Sequence, residues 1–328
     1  MNLAALILCL SILSPLQCSL ALNDPCEDPE IRRSPRDLRS DQITVLINGY
    51  SERRIPLIRS IAAAHSGSAV VSAVLVLWGN PSTPLDVINR LSRDLSSASF
   101  GPAAISVIPQ SSTSLNSRFL PRREIKTRAV LVCDDDVEVD LRSVEFAFKI
   151  WASNPDRLIG LFARSHDLDL SRKEWIYTIH PDRYSIMLTK FMILSTEYLF
   201  KYSCEGGEAM ARMRRLVDET QNCEDILMNF VVADETNAGP VLVGAEQARD
   251  HGDSRNEGER EEEVREVGLS TRRGEHRKRR GECITEFHRV LGRMPLRYSY
   301  GKVVNSVGEQ GLCKKGGKLV FCDVQVGE

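Results

Sequence analysis

The sequence carries no large surplus of either charge, no Asn-x-Ser/Thr acceptor, no internal repeat and, after its first 21 residues, no apolar run long enough to cross a bilayer. Each absence excludes something. A formal net charge of -2 over 328 residues gives no global electrostatic footprint for nucleic acid. Without an acceptor triplet, nothing indicates N-glycosylation. The cysteine spacings match no zinc pattern. What is present is a hydrophobic content of 42%, enough to bury a core as one large α/β domain or two small ones.

Residues 1–21 are apolar and uncharged, interrupted by Pro15 and Gln17, and end in small residues. This predicts a signal peptide or signal anchor, which sends the rest of the chain into the secretory lumen. Nine cysteines occur, and Cys9 and Cys18 belong to that segment. The other seven, Cys26, Cys133, Cys204, Cys223, Cys283, Cys313 and Cys322, face an oxidising compartment, where disulfides are expected. Seven is odd, and Cys133, inside an apolar run, is the candidate for the unpaired buried thiol.

Residues 22–40 read as a linker or stem, and 41–328 as the folded domain. Strands are predicted at Ile43–Asn48, Ala69–Trp78, Ala104–Ile108 and 129–133, with helices around Ile55–Ala64, Pro84–Leu95 and Ser143–Asn154. Strand-like composition returns at 184–194, and Glu208–Asn229 is helical in character. The alternation implies an α/β fold with a mostly parallel central sheet flanked by helices. Residues 245–282 are polar, and Gly252, Gly258, Gly268, Gly274 and Gly281 are expected to interrupt any helix, giving a mobile or induced-fit segment.

Three features carry chemistry. The run Ala129-Val130-Leu131-Val132-Cys133 ends in Asp134, Asp135 and Asp136, and the carboxyl end of a central strand is where an open α/β sheet holds its ligand. Adjacent carboxylates repel, so they point to a hard divalent cation whose shell phosphate oxygens complete; a solvated acidic turn is the plain alternative. Second, Asn222-Cys223-Glu224-Asp225 sets paired acids at the start of an apolar stretch. Third, Arg280 lies three residues before Cys283. A Cys223–Cys283 bridge, given a Cα separation within bridging range, would bring Asp225 and Arg280 into one neighbourhood as an acid and a cationic clamp.

The ordered blocks Leu115–Pro121, Ala129–Asp136, Tyr184–Leu188, Thr220–Asp225 and Met294–Ser299 resemble the exostosin-like glycosyltransferases of family 64 over residues 41–300. The chain is most similar to the short plant members, among them glycosylinositol phosphorylceramide mannosyltransferases. The resemblance implies a nucleotide-sugar-binding fold of the GT-A type, Mn2+-dependent retaining transfer from a UDP- or GDP-linked donor to a glycan or glycolipid acceptor, and action in the Golgi. Matched residue by residue, it makes Asp136 the metal ligand, gives Asp134 and Asp135 contacts to the donor, and makes Asp225 and Arg280 catalytic. Arg118, Asn116, Arg53 and Asn80 fall where the family holds the nucleotide, with Arg53 needing a one-residue shift. Cys223 and Cys283 match a family disulfide.

Lys190-Phe191 and residues 246–280 depart from the animal members, and both changes are expected to bear on the acceptor and to leave the metal site untouched. His166, Asp167 and Asp169 read as a solvated mixed loop, His180 and His288 as structural. The basic run His276–Arg280 suits either an anionic lipid headgroup, and so a membrane surface, or a solvated helix face. Asp225 also has a plain reading, as an acid complementing a helix start. The rival reading of the chain is a catalytically inactive sugar-binding or scaffold protein of the secretory pathway.

Overall fold

The structure is a computed structural model that describes residues 25–32, 34–252, 273–305 and 312–321. In chain order the strands are β1 (Arg39–Gly49), β2 (Val71–Trp78), β3 (Ala104–Pro109), β4 (Thr127–Asp134), β5 (Val137–Val139), β6 (Ile159–Gly160), β7 (Ala163–Asp169) and β8 (Glu174–Thr178). They continue as β9 (Ile186–Met187), β10 (Phe191–Ser195), β11 (Val241–Val243), β12 (Ala248–Asp250), β13 (Lys302–Val303), β14 (Leu312–Lys315) and β15 (Lys318–Phe321). The helices are α1 (Ile55–Ser66), α2 (Leu85–Ala98), α3 (Leu141–Ser153), α4 (Glu197–Ser203), α5 (Gly207–Thr220), α6 (Glu224–Thr236) and α7 (Arg273–Leu291).

An eight-stranded sheet in the order β13-β11-β6-β10-β4-β1-β2-β3 forms the centre. All its pairings are parallel except those of β10, which runs antiparallel to both β4 and β6. The mixed α/β architecture with a mostly parallel sheet agrees with the alternation of strand and helix signals. β1 and β4 are buried on both faces, which is why they read as continuous apolar runs. Thr44 interrupts the run in β1, yet it is fully buried. Its hydroxyl lies 2.7 Å from that of Thr127, so the polar atom is satisfied within the core.

Side chains divide over the two faces of the sheet. One core gathers Leu46, Val130, Val132 and Met192 with Tyr198, Tyr202, Phe230 and Phe287 of α4, α6 and α7. The other gathers Ile43, Val45, Ile47 and Leu131 with Ile58, Leu91, Val144 and Trp151 of α1, α2 and α3. Asp140 caps α3, accepting from the Ser143 N–H at 3.0 Å.

Several expectations need correction. The stretch Glu208–Asn229 is two helices, α5 and α6, because Gln221 and Cys223 take left-handed backbone conformations with φ of 48° and 78°. Gly274 and Gly281 do not break a helix; both lie within α7. A Cβ on Gly281 would stand 2.9 Å from the Trp175 carbonyl oxygen, so the absent side chain lets α7 press against β8. His166 is no solvated loop residue: it is buried in β7, stacked on Tyr298 at 4.8 Å with the rings 6° from parallel. Phe191 lies fully buried in β10 and belongs to the core.

The segment expected to be a stem is fastened to the domain. Cys26 is bonded to Cys204, and Arg123 pairs with Asp28 and Glu30. The apolar N-terminal segment lies outside the described residues, as do residues 253–272 of the polar segment. Among the described residues no helix is long and apolar enough to cross a membrane.

Candidate functional site

The carboxyl ends of β1, β2 and β4 share one edge of the sheet, since Asn48 pairs with Asp134 and Gly49 with Trp78. β1 is followed outward on one side by β2 and on the other by β4, so the acidic triplet sits where the strand order reverses, the usual crevice for a ligand. Asn48 steadies the turn by donating to the Cys133 carbonyl at 3.0 Å.

Arg54, in the short 3-10 turn after β1, donates to Asp135 at 2.6 Å and to Asp136 at 3.1 Å. Arg53 is exposed, so its neighbour occupies the triplet. The doublet Arg53-Arg54 was the available signal, and only the register at the end of β1 separates the two. Asp135 is buried, and that burial raises its pKa despite Arg54. Asp136 is pushed up to about 7, first by burial and then by repulsion from Asp134. Its Oδ1 is buried with no hydrogen-bond partner.

Arg118 joins the triplet to the second acidic pair. It stands 3.2 Å from Asp134 and 3.1 Å from Glu224, and donates to the Thr189 hydroxyl at 2.8 Å. Burial works against its charge, but Glu224 and Asp134 outweigh that and raise its pKa. Glu224, also buried, is raised by desolvation against the pull of Arg118. Asn116 is otherwise occupied: its amide donates to the Arg214 carbonyl and Asp218 and accepts from the Tyr202 hydroxyl, tying its turn to α4 and α5. Asn80, just beyond β2, accepts from the Ser82 N–H at 3.0 Å.

Asp225 and Arg280 meet as expected. The guanidinium donates to Asp225 Oδ2 at 2.6 Å and to Asn222 Oδ1 at 2.9 Å, and lies over the Tyr177 ring at 4.3 Å. Asp225 Oδ1 accepts from the Ile226 N–H at 2.7 Å. Burial opposes the charge of Arg280, while Asp225 and Tyr177 raise its pKa well above the ordinary value. The Cys223–Cys283 disulfide, with Cα atoms 6.4 Å apart, pins the start of α6 to α7 and fixes this encounter. Asn229 holds the other side, donating to the Met187 and Asp225 carbonyls and accepting from the Met187 N–H. Cys133 is the free thiol expected, buried under the triplet with its pKa raised by desolvation.

Asn222, Glu224, Tyr177 and Asn229 had no assigned role in the sequence reading. Glu224 was visible as the partner acid of Asp225. Asn222 and Tyr177 become legible only once Arg280 of α7 is seen between them, and Asn229 once α6 is seen against β9.

Among the described residues the site brings Asp134, Asp135, Asp136, Glu224 and Asp225 together with Arg54, Arg118 and Arg280. The unpartnered buried oxygen of Asp136, at the head of three adjacent carboxylates, fits a divalent cation. Among the described residues no three His, Cys, Asp or Glu side chains form a metal cage.

The sequence comparisons agree with this geometry. Residues 43–308 match the glycosyl transferase family 64 domain. The chain is 67% identical over 300 residues to glycosyltransferase family protein 64 C3 of Arabidopsis thaliana, covering 92% of this chain and 91% of that one. It is 33% identical over 250 residues to exostosin-1 of Mus musculus, covering 74% of this chain but 30% of that longer protein. Glycosylinositol phosphorylceramide mannosyl transferase 1 of Arabidopsis thaliana is 26% identical over 279 residues, covering 80% and 76%.

Proposed function

The chain belongs to glycosyl transferase family 64 and is a glycosyltransferase, and on that premise we propose that it carries out Mn2+-dependent retaining transfer on a GT-A-type fold. The donor is a UDP- or GDP-linked sugar, the acceptor a glycan or glycolipid, with a glycosylinositol phosphorylceramide foremost, and the setting is the Golgi lumen. One observation carries the metal reading: the buried, unpartnered Oδ1 of Asp136 within the acidic triplet. The relative named for glycosylinositol phosphorylceramide supports the acceptor class.

When bound, the ion would neutralise charge growing on the departing diphosphate. Asp136 would hold it. Asp134 and Asp135, fixed by Arg118 and Arg54, would face the nucleotide side, and Arg118 and Asn80 flank the same edge of the sheet. In a retaining transfer the donor's C1–O bond breaks, the acceptor hydroxyl bonds to C1 on the same face, and its proton passes to the leaving phosphate oxygen. Arg280 lies within the buried site to stabilise that developing negative charge. Both oxygens of Asp225 are engaged, one by Arg280 and one by the Ile226 N–H, which suits a fixed stabiliser of positive charge at C1. A covalent role for Asp225 would first require the Arg280 bond to open.

The test is a panel of nucleotide sugars scored for Mn2+-dependent protection against thermal unfolding, followed by transfer assays on wild-type protein and Asp136→Ala. Protection by a donor and loss of metal-dependent transfer in the variant, with an unchanged circular dichroism spectrum, are expected. Full activity in Asp136→Ala would remove the assignment.

A further inference from the structure

The basic run His276–Arg280 had two readings, an anionic lipid headgroup or a solvated helix face, and α7 shows how its side chains are divided. Arg280 is buried against Asp225. His276, one turn earlier on the same side, is half-buried and within range of both charges. Arg277, Lys278 and Arg279 are exposed. At about 100° per residue, Arg277 and Arg279 project to either side of the line through Arg280, and Lys278 points away from it.

Arg279 leans toward the end of α5, donating to the Thr220 carbonyl at 3.4 Å. Arg277 lies on the other side, toward β8. α7 runs antiparallel to that strand: the Thr285 hydroxyl accepts from the Trp175 N–H at 2.9 Å, and Gly281, a turn earlier, packs against Trp175, Ile176 and Tyr177. The turn before that holds Arg277 and comes level with the end of β8, beyond which Ile179 is 53% exposed. The helix that presents Arg280 to the buried site therefore presents cations to solvent directly beside it.

Consecutive cations repel one another. Glu275 and Glu282 stand at the two ends of the run, and Lys278 reaches Glu282 at 3.8 Å with both side chains exposed, a weak pair. Arg277 and Arg279 make no ion pair among the described residues. An anionic surface laid against this face would relieve that repulsion.

Resting on the glycolipid acceptor proposed above, we propose that Arg277, Lys278 and Arg279 dock the protein on a membrane surface bearing anionic phosphoinositol headgroups. Such a lipid holds its phosphodiester at the bilayer surface and its sugars beyond it. A cationic face beside the Asp225–Arg280 encounter brings those sugars to the site while the lipid stays in its bilayer. Ile179 adds an apolar contact at the same edge.

The experiment is surface plasmon resonance of the full chain on immobilised vesicles of phosphatidylcholine alone and of phosphatidylcholine mixed equally with phosphatidylinositol. Any contribution of the apolar N-terminal segment is common to both, and the difference between them is the readout. Wild type should bind the mixed vesicles about a hundredfold more tightly, at about fivefold for each basic residue near the surface. That difference should shrink as salt is raised. Arg277→Gln/Lys278→Gln/Arg279→Gln should lose it, and Arg277→Lys/Arg279→Lys should keep it. Mn2+-dependent protection by the donor should be unchanged in both variants, which separates loss of docking from loss of fold. A difference that persists in the glutamine variant overturns the proposal, and a simultaneous loss of binding to soluble polygalacturonate would reassign the surface to acidic glycans. No difference in wild type overturns it as well. Transfer to glycosylinositol phosphorylceramide in neutral detergent is the separate measure of the acceptor. Wild type inactive there, with vesicle binding as expected, would remove that acceptor and leave the docking surface.

Discussion

Replacing Arg280 by Met tests the central geometry without an activity assay. The Arg280 and Asp225 side chains are 6% and 5% exposed, so the substitution leaves Asp225 as an uncompensated buried carboxylate. Breaking a buried pair from one side costs about 3–5 kcal/mol. The lost hydrogen bond to Asn222 and the lost contact with the Tyr177 ring act in the same direction. Against a typical domain stability of about 5–15 kcal/mol, this is a loss that urea unfolding resolves easily. The double variant Arg280→Met/Asp225→Leu removes both charges and should recover most of the stability, because burying a charge pair gains little over apolar side chains of similar volume. Transfer should be lost in both. A single variant within about 1 kcal/mol of wild type, with an unchanged m-value, would refute the buried pair described above.

Stability should fall in mild acid. Burial lowers the pKa of His65 and of His166 to about 4, whereas an unfolded chain takes up the proton near 6.5. As pH falls from 6.5 to 4 the unfolded state binds protons first, so up to about 3 kcal/mol per histidine present above pH 6.5 is lost. His65→Leu should flatten that part of the denaturation profile, and an unaltered slope would count against it. Cleaving the Cys223–Cys283 bridge in Cys223→Ser/Cys283→Ser should cost about 4 kcal/mol, given the 60-residue separation, and urea unfolding of the variant measures it. Gly281→Ala should destabilise by about 1–3 kcal/mol although alanine favours helices, because the methyl meets the backbone of β8; a raised melting temperature would contradict the packing of α7 on β8.

The central strands were legible because β1 and β4 are covered on both faces, leaving uninterrupted apolar runs, and the triplet was legible because it stands where such a run stops. The break between α5 and α6 was hidden. It is made by Gln221 and Cys223 in a conformation that sequence reading assigns to glycine, and the disulfide and the Asn222 side chain hold it in place. The glycines of α7 misled for the opposite reason: Gly281 serves a close approach of helix to strand, a tertiary requirement invisible to local propensity. Arg54 escaped because choosing between adjacent positions depends on where the backbone turns after β1. The Asp225–Arg280 meeting, across 55 residues of sequence, was legible through the cysteines and the family resemblance and not through any local pattern.

The bond between Cys26 and Cys204 also has a mechanical consequence. Tension applied to the polypeptide ahead of Cys26 passes through sulfur into the chain beside α4, so β1 is never the strand being pulled. A tug from that direction cannot peel the domain open from its first strand while the bridge survives. Under reducing conditions the load path shifts to Arg39, and the same tug then acts on the strand that supports the acidic edge.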